Sequence, residues 1–337
     1  MYAGMPSTQS GSLTMTTISI SSSLESMGDA NSGYPSRAFD RFCDALPRFQ
    51  QMASAHYGRE VDTYSAAVMI PAFLDSYTSS GRGSLDLVPT LSKMLPNWTV
   101  RYTGLSKLHW FSERFKSVTL NHAYKSIFNV GNYTSSSETA SLLGWHVPTV
   151  TINENFSPLF GVDVTFHNNL SVKAEYRRSR VLSLSMTSVQ INESRSNDIV
   201  LGLGYKINDF RLFSSGMTRK IKKAQSGKSR SRNQDQKTDS NNNNNKRSGV
   251  NHDLNLRLDI SLRDQAAITR DIATRTSAAS SGNTAFKISF MADYTLSRLL
   301  TLSAYYDRQM NKPLLSSSSY PTTTHDFGLS MKFSLTR

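Results

Sequence analysis

A single cysteine, Cys43, stands in 337 residues, so no internal disulfide can form. No His or Asn is spaced around it as a thiol enzyme would require, and it reads as a small buried hydrophobe on a helix. Long apolar runs are missing too: nowhere do 18 apolar residues follow one another, which excludes a membrane-spanning helix. A hydrophobic fraction of 38% and a mean hydropathy of −0.40 are too polar for a helical membrane protein. Membrane β-strands escape both tests, because only alternate residues of such a strand meet lipid. Residues 1–20 lack a basic stretch followed by an apolar one, so they do not read as a secretory signal. The expectation is a piece of a longer polypeptide, or a split or truncated reading frame. The seven histidines are scattered. No pair of carboxylates, Ser/His/Asp set or Cys/His cluster converges, so neither an enzyme nor a cofactor or metal is expected.

What the chain does have is alternation. In 325–337, Phe327, Leu329, Met331, Phe333 and Leu335 fall on one parity, while Asp326, Gly328, Ser330, Lys332, Ser334 and Thr336 fall on the other. Period 2 without a break is a β-strand with one apolar and one polar face. The pattern recurs in 253–263, with Leu254, Leu256, Leu258, Ile260 and Leu262 on one side. It recurs again in 286–296, with Phe286, Ile288, Phe290, Ala292, Tyr294 and Leu296. Further strands are expected at 13–20, 98–103, 118–130, 150–152, 160–166, 170–176 and 199–207. The hairpins 253–263 with 266–275 and 286–296 with 299–308 follow, then the last strand. That makes roughly a dozen strands.

The helical exception is 21–97, expected as an insertion or cap between strands. Phe39, Phe42, Cys43, Leu46, Phe49 and Met52 recur at helical spacing, with Pro47 ending or kinking the first helix. A second helix is expected at 66–77. The chain thus divides into a strand end at 1–20, the insertion at 21–97, strands at 98–207, a loop at 208–251 and C-terminal strands at 252–337. With the last strand running inward, the turns near Asp264 and Ser297 are expected on the periplasmic side. Loops 208–251, 276–285 and 309–324 then lie outside.

The formal net charge is +13. Between Arg219 and Arg247 stand ten Lys or Arg against Asp235 and Asp239, so this one stretch carries eight of the thirteen charges. It ends in the five asparagines 241–245, has almost nothing to bury, and is expected to be a disordered, solvated loop. It lacks interleaved aromatics, and no nucleic-acid partner is expected. Gly202-Leu203-Gly204 resembles the start of a dinucleotide fingerprint, but the third glycine and a following helix are missing. Glycines on the polar parity instead make room beside bulky neighbours. That parity also carries Lys173, Glu175, Arg177, Lys206, Arg257, Asp259, Arg263, Lys287, Asp293 and Asp307. Both signs occur on adjacent segments, so cross-strand ion pairs lining a water-filled lumen are expected. A solvent-facing sheet surface is the rival.

Several blocks do more than alternate. They are Ile70-Pro71-Ala72-Phe73-Leu74, the stretch from Leu95-Pro96-Asn97-Trp98 to Gly104-Leu105-Ser106-Lys107-Leu108, and Phe115-Lys116-Ser117-Val118-Thr119-Leu120-Asn121-His122-Ala123-Tyr124. Val130-Gly131-Asn132-Tyr133, Tyr176-Arg177-Arg178-Ser179-Arg180, Val200-Leu201-Gly202-Leu203-Gly204-Tyr205, Leu254-Asn255-Leu256-Arg257-Leu258-Asp259 and Tyr305-Tyr306-Asp307-Arg308 follow. In this order, over about residues 70–337, the chain resembles the C-terminal portion of the SprA/Sov family, the outer-membrane translocons of the Bacteroidetes type IX secretion system. The resemblance implies an all-β fold, an antiparallel transmembrane section of a much larger single-chain barrel. It implies a protein-conducting pore in the outer membrane, lipid around it, and folded cargo proteins bearing C-terminal sorting domains. It also implies a FadL-like barrel subunit and a periplasmic plug protein as companions. The chain departs from the pattern in its short length and in its long basic loop. A self-contained small outer-membrane barrel, porin or adhesin, and a soluble β-rich binding protein stand as alternatives.

Overall fold

The computed structural model describes residues 9–25, 32–78, 83–88, 96–135, 145–208, 210, 252–297, 299–315 and 320–334. Among these, eleven strands form one antiparallel sheet. They are β1 (Gln9–Thr16), β2 (Trp98–Tyr102), β3 (Phe115–Ser135), β4 (Trp145–His146), β5 (Thr149–Phe166) and β6 (Leu170–Ser185). The rest are β7 (Gln190–Ile207), β8 (Leu254–Asp271), β9 (Thr276–Thr295), β10 (Leu300–Pro313) and β11 (Thr322–Phe333). The order is β1-β3-β5-β6-β7-β8-β9-β10-β11, with β2 and β4 also paired to β3. The fold is all-β with a small helical insertion, and the sheet is open. Among the described residues β11 pairs only with β10, and β1 pairs with β3 rather than closing onto β11.

Among the described residues four α-helices accompany the sheet, α1 (Ile20–Ser23), α2 (Arg37–Tyr57), α3 (Ala66–Tyr77) and α4 (His109–Ser112), with a 3-10 turn at Gly104–Lys107. The Ser36 hydroxyl caps α2 by accepting from the Phe39 amide at 3.3 Å, and Gly58, at φ 65°, ends it in the left-handed region. Pro47 does not end the helix as expected. It removes the amide that would bond the Cys43 carbonyl one turn back, and that carbonyl accepts instead from Arg275 Nη2 at 3.2 Å. α3 is buried almost throughout, because it packs against both α2 and the sheet. Phe42, Phe73 and Tyr77 meet edge-on or tilted at 4.9–6.5 Å. Below them lie Phe128, Val130, Val150, Ile152, Leu182, Leu184 and Ile191. One end of one sheet face is thus covered by helices.

The strands are longer than the alternation implied. The expected hairpin 253–275 is one strand, β8, and 276–285 is the first half of β9 rather than a loop. The segments 150–152 and 160–166 belong to one strand, β5, with a bulge between Phe156 and Phe160. Residues 190–198, ahead of the strand expected at 199–207, open β7. These merged strands change the sidedness. The 208–251 connection and the turn near Ser297 lie at one end of the sheet, and the β10–β11 connection lies at the other. The loops 208–251 and 309–324 therefore do not share a side. The basic stretch from Arg219 to Arg247 lies outside the described residues, as do 335–337.

Candidate functional site

The strongest feature is the division of one sheet into two chemically opposite faces. From Leu170↔Tyr205 to Ser185↔Gln190, and from Gln190↔Asp271 to Ile207↔Leu254, the β6–β7 and β7–β8 ladders run without a bulge. Side chains alternate faces all along such strands, so parity assigns each residue to a face.

The polar face carries all ten of the charged residues singled out by sequence. Lys173 Nζ lies 2.8 Å from Glu175, which also pairs with Arg177. Arg263 forks onto Asp198, with both nitrogens at 3.0 Å. Arg257 meets Asp259 at 2.6 Å, Lys206 meets Asp253 at 2.9 Å, and Lys287 meets Asp307 at 3.1 Å. Asp293 accepts from the Ser303 hydroxyl. Concavities on this face are lined by Lys173, Gly202, Gly204, Arg257 and Asp259, and by Arg177, Asp198, Arg263 and Lys287. Gly202 and Gly204 lie in mid-strand, not at a strand-to-helix turn. A Cβ on Gly202 would come within 3.0 Å of an Asp259 carboxylate oxygen, and one on Gly204 within 2.5 Å of the Ser171 hydroxyl. Both glycines make room for polar neighbours. Cations and carboxylates on this face pair with one another, most of them half-exposed, while Glu175 is buried between its two partners. Among the described residues no three of His, Cys, Asp and Glu group as a metal site.

The opposite face is apolar at the uncovered end. Its residues are Val172, Ala174 and Tyr176 on β6, Ile199, Leu201, Leu203 and Tyr205 on β7, and the even residues from Leu254 to Leu262 on β8. Phe286, Ile288, Phe290, Ala292 and Tyr294 continue it on β9. Phe160 and Val162 extend it on β5, Tyr306, Ala304 and Leu302 on β10, and Phe327, Leu329 and Met331 on β11. No described element covers it, and on the edge strand Phe327, Leu329 and Met331 are 79%, 77% and 70% exposed. The eight steps from Leu254 to Leu262 span ~27 Å, and the six steps from β5 to β11 span ~29 Å, an area on the order of 800 Å². Soluble monomers rarely expose an apolar patch above a few hundred Å². Arg178, Asn197, Asp264 and Thr284 form a polar row that bounds the band on β6–β9. On β10 and β11 the boundary steps along the strands to Arg308 and His325. A step of this kind is what a flat boundary makes across tilted strands. Aromatics sit at both edges, with Phe160, Tyr176 and Phe286 at one and Tyr205 and Tyr294 at the other, where Phe210 meets Tyr294 at 6.1 Å.

Beyond the polar row, under the helices, lies a buried charge network that sequence reasoning missed. Arg180 Nη2 donates to Glu154 at 3.1 Å, to the Ser22 hydroxyl at 2.8 Å and to the Ser19 carbonyl at 3.3 Å. Tyr124 donates to Glu154 at 2.7 Å, and burial together with that carboxylate pushes its phenol up to about 12. Glu193 sits between Arg195 and Arg270 at 2.5 and 2.9 Å. Burial alone would raise the Glu193 carboxyl, but the surrounding arginines outweigh it and hold it below the ordinary carboxylate range. Arg195 and Arg270 also donate to the carbonyls of Glu25 and Tyr34 at 2.6 and 2.7 Å. The network ties Ser19, Ser22, Glu25 and Tyr34, around α1 and ahead of α2, to β3, β6, β7 and β8. Its one sequence signal was charge on the apolar parity, as in Arg178-Ser179-Arg180 ahead of Leu182 and Leu184.

No protein-family model matches the chain, and no curated protein matches it.

Proposed function

We propose that this chain is a section of the wall of an outer-membrane β-barrel, with the apolar band against lipid and the charged face toward a water-filled lumen. The observation that carries the reading is the bare apolar band. Its height is close to the ~25 Å apolar belt of outer-membrane barrels, and aromatics line both of its edges as they do there. A sheet open at β11 leaves unpaired backbone groups that cost several kcal/mol each in lipid, so the wall needs further strands alongside it. The resemblance of the ordered sequence blocks to SprA/Sov supports a type IX secretion translocon as the whole. In that role the chain supplies wall and loops to a protein-export channel. Its partners are membrane lipid, cargo with C-terminal sorting domains, a FadL-like subunit and a periplasmic plug protein. The role is structural and not enzymatic.

Leu258→Arg and Asp259→Arg separate the two faces. A cation on the lipid side near mid-membrane costs about 2–4 kcal/mol, and one on the lumen side much less. Leu258→Arg is expected to abolish most assembly into the outer membrane, with Asp259→Arg assembling near normally. Equal assembly of the two variants would favour a soluble β-rich binding protein.

A further inference from the structure

The helices α1–α3 stand on the same face as the bare apolar band. Because the β6–β7 and β7–β8 ladders are unbroken, Leu258, Ile260 and Leu262 share a face with Ile268 and Arg270, which the helical layer buries. Arg257, Asp259 and Arg263 share the other. A layer that plugged the lumen would have to sit on the charged face, and it does not.

The layer also reaches the edge of the band. Arg178 and Arg195 both donate to the Glu25 carbonyl, at 3.0 and 2.6 Å. Arg178 lies two residues, or ~7 Å, past Tyr176, the last band residue of β6. Leu24, beside Glu25, is 53% exposed although Ser22 and Ser23 just before it are buried. It lines a concavity with Ser21, Pro35, Arg37 and Asp40.

We propose that α1–α3 form a collar on the outside of the barrel wall, with segment 20–25 as a foot at the depth of the lipid headgroups. The proposal rests on the membrane reading of the band and adds where the helices stand. An exposed leucine beside an exposed arginine suits that depth: the apolar side chain enters the acyl boundary, and the guanidinium meets headgroup phosphate. The charged face is left free of α1–α3, and the buried arginines behind the polar row are screened from lipid.

Nitroxide labels on single introduced cysteines test it, with the full chain in native outer membranes. Cys43 is buried and its thiol is pushed up to about 11 by burial, so it stays unlabelled at neutral pH, and the unmodified chain serves as the blank. Collisions with dissolved oxygen and with a water-soluble nickel chelate report depth. At Ile260→Cys the label is expected to be oxygen-rich and nickel-poor, and at Ser261→Cys the reverse. At Leu24→Cys and Arg37→Cys, both exposed positions, nickel collisions are expected to fall several-fold below those at Ser261→Cys, at headgroup depth. Full nickel access at both foot positions, with Ile260→Cys still deep, would overturn the collar and leave the membrane reading standing. Nickel access at Ile260→Cys would overturn both.

Discussion

Glu193 and Arg270 sit on neighbouring strands 2.9 Å apart, and neither side chain has any exposure to solvent. Arg195 closes on the same carboxylate from the other side, also almost wholly buried. Charges this deep are costly to leave unpaired, and the loop carbonyls of Glu25 and Tyr34 accept from Arg195 and Arg270 as well.

Glu193→Gln leaves two buried guanidinium groups without their carboxylate. Breaking a buried pair in this way costs about 3–5 kcal/mol. Asp44→Asn breaks the surface pair with Arg275, whose side chains are 69% and 57% exposed, and costs about 1 kcal/mol or less. Protease protection of α2 and α3 reads the difference. The layer is expected to become cleavable in Glu193→Gln and to stay protected in Asp44→Asn. Equal protection in the two would contradict the clamp.

The same carboxylate sets an acid limit. Its pKa is lower folded than unfolded, so the unfolded chain binds more protons as the pH falls. The stabilisation is fully present above the ordinary carboxylate value of ~4.3 and is lost as pH drops through the lower folded value. The melting temperature of the helical layer is expected to hold from pH 8 to 5 and to fall below about pH 4. The Glu193→Gln variant should lose part of that acid limb. An acid limb unchanged by the substitution would assign it to other groups.

The alternating segments were legible in the sequence because packing there follows parity alone. Leu254 to Leu262, Ile199 to Tyr205 and Phe327 to Phe333 each present one apolar face, and each lies in a strand. The halves of the same strands under the helices were not legible. Asn192 to Asn197 drew no strand assignment because Glu193 and Arg195 stand where apolar residues belong, and their partners outside β7 lie more than 70 residues away in Arg270 or on the α1–α2 segment. Thr276 to Ala285 carries Ser, Ala, Gly and Asn, poor strand formers, with Thr only at 276 and 284, and shows no apolar alternation; β8 and β10 hold it in place. The placement of the ten charged candidates on one face was legible from local parity, as with Lys173 between Val172 and Ala174 or Asp259 between Leu258 and Ile260. Pro47 looked like a helix end because its compensation, Arg275, comes from the distant β8–β9 turn.

Gly282 marks a tight contact on the covered face. A Cβ there would lie 2.8 Å from Leu314 and 2.9 Å from the backbone oxygen of Gln265 on β8. A backbone carbonyl cannot rotate away, so Gly282→Val is expected to cost about 1–3 kcal/mol through strain. At Gly204 the near atom is the Ser171 hydroxyl, which turns aside, and Gly204→Ala should cost well under that. Denaturant midpoints of the two variants check the order. A larger loss in Gly204→Ala would show that the polar face tolerates less than its open surface implies.

The direct test of two chemically distinct environments is a single-cysteine scan along the band portion of β8, residues 256–261, in intact outer membranes. A water-soluble maleimide is expected to label Arg257→Cys, Asp259→Cys and Ser261→Cys. Leu256→Cys, Leu258→Cys and Ile260→Cys are expected to stay unlabelled until the protein is unfolded. Equal labelling of the two sets in intact membranes would contradict a lipid-facing band and a water-filled lumen.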